Sequence, residues 1–296
     1  MKTMTQQEPT LRLLAQGRPK NGSPVRCWAF GKTDQGLVRK ANEDQFLVAR
    51  VHRDFEVVQC GFVGATRVQS SPGLLLVVAD GVGSVEGSAV AGASAIDSVA
   101  ESLFHHVPWL HGSKLDQSTF SQVVQAALRH CQKKLIEVAE RKHLDPRIAT
   151  TLTLAYVHWP HLYLAHVGDS RAYVLRGKRM MRLTRDHTLA QQLADSGSLR
   201  PSEVESSPFA NTLTRCVGGS QSQLQVDAQH LELQREDVLL LCTDGLYREV
   251  SETRIAEKLT YTTRGVPTSV CADSLIEQAL SAGGRDNVTA VVARFA

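Results

Sequence analysis

Short apolar segments, separated by polar or glycine-containing ones, make up most of the chain from position 25 onward. The apolar segments are rich in valine, leucine and alanine and are only a few residues long, which is typical of β-strands. The predicted strands cover residues 25–31, 46–51, 74–80, 151–157, 162–167, 171–176, 224–233, 238–244 and 287–295.

Three other segments have the residue spacing of helices. Residues 85–103 are rich in alanine and serine, and another segment begins at Pro267 and ends at Gly283. Residues 117–142 repeat apolar side chains every three or four positions, which predicts a helix with one buried stripe. That stripe consists of Phe120, Val123, Ala127, Leu128, Cys131, Leu135, Val138 and Ala139.

The connections between the predicted strands decide the fold class. Only residues 158–161 separate two of the strands, and strand 171–176 turns at Gly177 into a further one. Strands joined by such short connections pair antiparallel. We therefore predict an α+β fold in which helices stack outside antiparallel sheets.

The chain divides into a short lead-in and one large domain. Residues 1–24 are polar, contain three prolines and predict a flexible lead-in, whereas residues 25–296 predict a single domain. Within the domain, residues 189–216 form a polar segment that is long for a loop. Loops of that length are usually functional or mobile.

Composition and charge narrow the range of possible functions. Hydrophobic residues at 42% and charged residues at 21% indicate a globular chain, and a net charge of +3 favours neither nucleic acid nor an acidic membrane as a partner. The longest apolar run is far short of the ~20 residues of a membrane-spanning helix, and the N-terminus lacks the apolar stretch of a signal peptide. The six cysteines are dispersed, which predicts buried thiols of a cytoplasmic protein.

Acidic residues stand at the ends of the predicted strands. Because burial disfavours an ionised carboxylate, several converging carboxylates must be neutralised by a cation. Oxygen donors without nearby cysteine or histidine suit Mg²⁺ or Mn²⁺. A single Asp-Gly is more often a turn, but that explanation weakens when the pattern recurs. The recurring sites are Asn42-Glu43-Asp44, Asp80-Gly81, Gly168-Asp169, Asp244-Gly245 and Asp286-Asn287.

Eight motifs, taken in chain order, resemble those of the 2C-type metal-dependent protein serine/threonine phosphatases. The resemblance extends from about residue 25 to residue 294 and is closest to the compact bacterial members. The motifs are Thr33-Asp34-Gln35-Gly36, Arg39-x-x-Asn42-Glu43-Asp44, Asp80-Gly81-Val82-Gly83, Ala149-Thr150-Thr151, Val167-Gly168-Asp169-Ser170-Arg171, Leu183-Thr184-Arg185-Asp186-His187, Thr243-Asp244-Gly245-Leu246 and Asp286-Asn287-Val288-Thr289.

The resemblance implies a four-layer α-β-β-α sandwich with a cleft for two metal ions at one edge of two antiparallel sheets. It also implies a role for each matching residue. Asp80 resembles the carboxylate that bridges the ions. The carbonyl of Gly81 completes the coordination of one ion, and Asp244 and Asp286 resemble ligands of the other. Asp169, with Asp244, resembles the site of a third, weaker ion. Glu43 and Asp44 resemble carboxylates that hold metal-bound waters, and Asn287 lies beside them. Residues 189–216 fall where the family has its flap.

The implied reaction is hydrolysis of phosphoserine and phosphothreonine in proteins, by in-line attack of a hydroxide that bridges two Mn²⁺ or Mg²⁺ ions. Arg39 resembles the arginine that binds the substrate phosphate, although its position also fits a solvent-exposed charge or an ion-pair partner of Glu43. The catalytic residues implied are thus Arg39, Asp80 and Asp244. We expect a cytoplasmic monomer, paired with a serine/threonine kinase, that neither spans a membrane nor binds nucleic acid.

Two positions depart from the family pattern. Val82 stands where many animal members have a histidine proposed as the general acid, so the leaving group must take its proton from water or elsewhere. Gly83-Ser84 replaces the usual pair of glycines.

Other functions remain as alternatives. A catalytically silent binding or sensing module would show loss of a metal aspartate, and a nuclease or phosphodiesterase would need a basic or aromatic groove. The glycines after residue 80 do not have the G-x-G-x-x-G spacing of a dinucleotide loop.

Overall fold

The computed structural model describes residues 11–12, 25–51, 55–60, 73–82, 85–106, 116–142, 145, 147–219 and 224–296. The strands are β1 (Leu11–Arg12), β2 (Arg26–Asp34), β3 (Gln45–Val51), β4 (Phe55–Cys60), β5 (Gly73–Ala79), β6 (Gly81–Val82), β7 (Ala149–Thr150), β8 (Leu152–His158), β9 (His161–Val167), β10 (Arg171–Arg176), β11 (Arg179–Arg182), β12 (Val217–Gly218), β13 (Asp227–Glu232), β14 (Val238–Cys242) and β15 (Val288–Phe295). The helices are α1 (Val85–His106), α2 (Gln117–Lys142), α3 (Leu189–Asp195), α4 (Asp244–Tyr247), α5 (Glu252–Thr263) and α6 (Thr268–Ala282).

Two six-stranded antiparallel sheets form the centre of the molecule. One has the strand order β1-β2-β15-β14-β10-β11 and the other the order β13-β9-β8-β5-β3-β4. A small third sheet has the strand order β12-β7-β6, and its strand β6 comes just after β5 in the chain. This arrangement confirms the prediction of antiparallel sheets from the short connections between strands.

Three apolar layers hold the sheets and helices together. The middle layer lies between the two sheets and contains Val48, Leu76 and Val291. One outer layer packs α1 and α2 onto the β3-β5-β8 sheet through residues such as Ile96 and Leu128. The other packs α4, α5 and α6 onto the β14-β15 sheet. The four-layer α-β-β-α sandwich implied by the family resemblance is therefore confirmed.

The predicted elements and the observed ones differ at several places. Helix α2 has the predicted bounds, whereas α1 extends to His106. Helix α5 was not predicted, because its apolar stripe is narrow. In addition, the last four of its twelve residues are threonine or tyrosine, and these residue types favour strands. The prediction of an irregular segment for residues 189–216 is wrong at its start, where Thr188 caps α3.

Parts of other predictions lie outside the described residues. Of the predicted flexible lead-in, residues 1–24, only Leu11–Arg12 are described, and they pair with β2 instead of being irregular. Gly83 and Ser84 lie outside the described residues. Cysteines 27, 131, 242 and 271 are buried free thiols, as expected. None of the helices described has both the length and the hydropathy needed to cross a bilayer.

Gly31 on β2 lies directly against the ring of Phe46, across the interface between the two sheets. A Cβ built at this position would lie 2.5 Å from two ring carbons of Phe46 on β3. Real Cβ atoms do not approach a ring this closely, so a side chain here would force the ring or the strand to move. The absence of a side chain at Gly31 thus lets the middle layer close beside the start of β3.

Gly31→Ala is expected to lower the free energy of unfolding by about 1–3 kcal/mol, because it overpacks the middle layer. Urea unfolding of the wild type, Gly31→Ala, Phe46→Leu and the double variant would measure this. The alanine should cost less in the Phe46→Leu background, since the clash is with the ring. Equal costs in both backgrounds would contradict the assigned contact.

Candidate active site

Acidic residues from both sheets meet at one edge of the sandwich. Asp80 follows β5, Asp169 follows β9, and Asp44 precedes β3, all in one sheet. Asp244 follows β14 and Asp286 precedes β15 in the other sheet. The prediction that these acids stand at strand ends is therefore confirmed.

The effect of these acids on the pKa of Asp80 shows that they lie close together. Desolvation and repulsion from Asp244, Asp44, Asp169 and Asp286 raise the pKa of Asp80 well above its ordinary value. Like charges brought this close disfavour one another's ionised form. The cleft therefore attracts cations.

Backbone hydrogen bonds fix Asp80 at the point where the chain leaves β5. Its N–H donates to Thr151 Oγ1 at 3.0 Å, and its carbonyl accepts from the Thr151 N–H at 2.8 Å and from Thr150 Oγ1 at 2.9 Å. The next two residues, Gly81 and Val82, pair with β7 in the small sheet. Asp80 is thus held between a large sheet and a small one.

Asp44 is buried with only one of its carboxylate oxygens satisfied. Thr243 and Thr289 donate hydroxyl hydrogen bonds to Oδ2 at 2.7 and 2.6 Å. Oδ1 is buried and has no hydrogen-bond partner. Burial raises the pKa of Asp44 to about 7, although the two threonine hydroxyls oppose the shift. A buried carboxylate oxygen without a partner is costly and suits a bound cation or its water.

Asn287 organises the loop that precedes β3. Its Nδ2 donates to the carbonyl oxygens of Gln35 and Ala41 at 2.8 and 2.9 Å, and its Oδ1 accepts from the Glu43 N–H at 2.9 Å. Asn287 therefore ties the segment carrying Arg39 and Glu43 to the segment carrying Asp286. The predicted position of Asn287 beside the acidic residues agrees with these contacts.

Gly36 is needed at the tightest point of the same loop. Its φ is +77°, a conformation that favours glycine, and a Cβ there would lie 2.2 Å from the Asp286 carbonyl oxygen. Any side chain would separate this loop from the Asp286 segment.

Arg39 reaches Asp286 across the rim of the cleft. Its Nη2 lies 2.6 Å from Asp286 Oδ2, and about half of its side chain, 52%, is exposed. Asp286, Glu43 and Asp80 together raise the pKa of Arg39, most strongly through the Asp286 hydrogen bond. Of the interpretations left open by the sequence, exposure to solvent fits the half-exposed side chain, and the ion-pair partner of Arg39 is Asp286 instead of Glu43.

Arg248 lies between Asp169 and Asp244, and its role was not predicted from the sequence. Its Nη2 is 3.2 Å from Asp169 Oδ2 and 3.0 Å from Asp244 Oδ2. Burial and repulsion from Asp244 raise the pKa of Asp169 to about 8, and Arg248 opposes this shift only in part. Burial also raises the pKa of Asp244, again opposed by Arg248. The only sequence signal was its spacing of four residues from Asp244.

The segment expected to be a flap, residues 189–216, is joined to the domain through Arg171. The Arg171 guanidinium is buried and pairs with Asp186 at 2.8 Å and with Glu205 of the segment at 3.2 Å. A cavity of about 240 Å³ lies between the segment and the cleft, and Arg248 and Tyr247 line one side of it. The predicted flap is therefore next to the acidic cluster.

His187 is held by groups outside the acidic cluster. Its Nδ1 accepts from the Gly168 N–H at 3.1 Å, and its Nε2 lies 3.0 Å from Asp227 Oδ2. Its backbone N–H donates to the Gly168 carbonyl at 2.7 Å. These bonds make His187 a support for the turn that carries Asp169.

The donor set fits hard divalent cations. The carboxylates of the cleft and the carbonyl of Gly81 offer only oxygen, and the Asp44 Oδ1 atom lacks a partner. Within the described ranges, no three acidic, histidine or cysteine side chains already lie at the spacing that one ion requires. Arg39 and Arg248 instead pair with three of the carboxylates.

Comparison with known proteins gives matches over most of the chain. A family model described as protein phosphatase 2C matches residues 64–280. The chain is 28% identical over 261 residues to the serine/threonine phosphatase stp of Listeria innocua serovar 6a, which covers 88% of this chain and 93% of the relative. It is 32% identical over 263 residues to the serine/threonine protein phosphatase PstP of Mycobacterium tuberculosis, covering 88% of this chain and 44% of PstP.

A solved structure is also similar. The catalytic domain of the serine/threonine protein phosphatase PstP, in complex with two manganese ions, has a TM-score of 0.69 and 29% identity. The match covers 92% of this chain and 99% of that structure.

Cation binding to this cleft is expected to release protons at neutral pH. The pKa values of about 7 for Asp44 and about 8 for Asp169 mean that both carboxyls are partly protonated before an ion binds. Because a cation favours the ionised form, the affinity for Mn²⁺ should rise from about pH 6 to about pH 8. Calorimetry in buffers of different ionisation enthalpy measures the protons released. An affinity that is flat over this range, without proton release, would contradict the raised pKa values.

Proposed function

This chain belongs to the protein phosphatase 2C family, and we propose that the acidic residues at the edge of its two sheets are the centre at which it hydrolyses phosphoserine and phosphothreonine in proteins. The chain is a metal-dependent protein serine/threonine phosphatase, like the relatives stp and PstP. The observation that carries the assignment of the site is the convergence of carboxylates from both sheets around Asp80.

The ions would be held by Asp80, the Gly81 carbonyl, Asp244 and Asp286. Glu43 and Asp44 would orient the water molecules around them, which fits the buried, unpartnered Oδ1 of Asp44. When bound, two divalent ions lower the pKa of water and neutralise the phosphate, which is the chemistry that this reaction needs. Mn²⁺ or Mg²⁺ suits these oxygen donors, and Asp169 with Asp244 marks the position at which the family resemblance implies a third ion.

Arg39 would bind the substrate phosphate at the rim. Its planar guanidinium can donate two parallel hydrogen bonds to phosphate oxygens, and its half-exposed side chain is accessible from solvent. Asp286 holds the guanidinium on the cleft side of the loop before the substrate arrives. Positioning of this kind lowers the entropic cost of binding.

The side chain after Gly81 cannot supply a proton to the leaving oxygen. Val82 is apolar and follows the acidic cluster directly. Both ring nitrogens of His187 are hydrogen-bonded, to Gly168 and Asp227, so His187 does not act as the proton donor in place of a histidine at Val82. We therefore assign protonation of the leaving serine or threonine to water in the cleft.

The substrates proposed are phosphorylated proteins, and a serine/threonine kinase is the partner that would supply them. A catalytically silent binding module has no support, since Asp80, Asp244 and Asp286 are all present and the relatives are named as phosphatases.

The activity is tested by phosphate release from a phosphothreonine peptide, beside a phosphodiester substrate, in Mn²⁺ and then in excess chelator. The peptide should be hydrolysed only with the metal, and the phosphodiester should react much more slowly. Asp244→Asn should lower kcat at least about a hundredfold, because it removes a charged ligand. Asp273→Asn, at an exposed ion pair with Lys32, is the matched control. Full activity in chelator would overturn the proposal.

Arg39→Ala is expected to lower kcat/KM for the peptide by roughly 10- to 100-fold, mainly through KM, because a charge-assisted contact to phosphate is lost. Mn²⁺ affinity should stay constant or rise, since Asp286 loses a competing cation. Steady-state kinetics and Mn²⁺ titration of one preparation provide both values, with exposed Lys40→Ala as the control. An unchanged KM with weakened Mn²⁺ binding would assign Arg39 to the metal site alone.

A further inference from the structure

Arg248 contacts both carboxylates at which a third ion is expected. The same Nη2 atom lies 3.2 Å from Asp169 Oδ2 and 3.0 Å from Asp244 Oδ2. These acids come from different sheets, so one cationic group neutralises a pair that would otherwise repel. That is the electrostatic role that a bound cation would have between them.

The fold fixes Arg248 in this place by two independent means. Helix α4 begins at Asp244 and its C-cap is Arg248, so the two side chains are one helical turn apart and lie on the same face. Tyr247, the preceding residue, donates its hydroxyl hydrogen bond to the Asp169 carbonyl at 3.0 Å. The turn that carries Arg248 is therefore tied to the turn that carries Asp169.

The charges of the cleft agree with two ions when Arg248 is included. The cleft has six acidic side chains and two guanidinium groups, those of Arg39 and Arg248, which leaves a formal surplus of four negative charges. The acids are Glu43, Asp44, Asp80, Asp169, Asp244 and Asp286. Two divalent ions supply four positive charges. A third would leave a formal excess of two positive charges before any phosphate had bound.

We propose that the Arg248 guanidinium takes the place of the third metal ion in this chain, so that the enzyme operates with two ions and a built-in cation between Asp169 and Asp244. The inference rests on the proposed function, because it uses the metal role of Asp244. It adds that the number of ions is set by a side chain outside the ligand set.

The test counts Mn²⁺ bound per chain, by equilibrium dialysis and metal analysis of the full-length protein. The wild type should bind two ions at saturating Mn²⁺, whereas Arg248→Gln should bind three. The dissociation constant for the third ion should fall at least about tenfold relative to the wild type. Arg254→Gln, which removes an exposed arginine paired with Glu257, should behave as the wild type.

Two further variants locate the added ion. Arg248→Lys keeps a positive charge and should still bind two ions. Arg248→Gln combined with Asp169→Asn should return to two, because the added ion needs the Asp169 carboxylate. Circular dichroism of each variant without metal confirms that it is folded.

Two outcomes would overturn the inference. One is that the wild type binds a third ion and that Asp169→Asn does not. This comparison does not involve an Arg248 variant. Another is a count of two in both the wild type and a folded Arg248→Gln. These results leave the proposed function intact, whereas a wild type that binds no Mn²⁺ and releases no phosphate would overturn both.

Discussion

Repulsion among carboxylates at the meeting point of two sheets is the constraint on which the rest of the site depends. Asp80 lies among four other aspartates, and their mutual effect is visible in its raised pKa. Such a cluster costs folding free energy unless cations or hydrogen-bond donors compensate it. The chain provides both within its own sequence. Thr243 and Thr289 donate hydrogen bonds to Asp44. Arg39 forms an ion pair with Asp286, and Arg248 forms ion pairs with Asp169 and Asp244.

These donors and arginines compensate the carboxylates only in part, and the groups that stay uncompensated indicate where ions would bind. Asp44 keeps one buried oxygen without a partner, and burial still raises the pKa of Asp169 to about 8. The arginines lie at the two sides of the cleft, at the rim and beside the 240 Å³ cavity. The middle, around Asp80, is surrounded by the carboxylates of Asp44, Asp169, Asp244 and Asp286. Substrate phosphate, which is itself negative, can approach such a centre only after it has been neutralised.

Local patterns predicted the antiparallel sheets with helices outside them and the acidic residues at strand ends, whereas the four layers were implied by the family resemblance. Strands are recognisable as apolar runs, and Asp80, Asp244 and Asp286 are adjacent to them. Arg248 could not be found in this way, since α4 has only four residues and no periodicity. Its second partner, Asp169, is distant in sequence. Thr243 and Thr289 belong to the recognised motifs, but their role was not predicted, because nothing local shows that their hydroxyls meet at Asp44.

The separation of the three apolar layers from the cleft has a consequence for how such a chain can change. The apolar side chains of these layers are not themselves members of the acidic cluster, so burial of apolar surface stabilises the fold mainly through residues that would not bind metal. Substitutions in the outer helices can accumulate while the catalytic arrangement persists, and a costly charge cluster is tolerated as long as the cores supply enough excess stability. Evolutionary drift and catalytic specialisation can therefore proceed on separate parts of one scaffold.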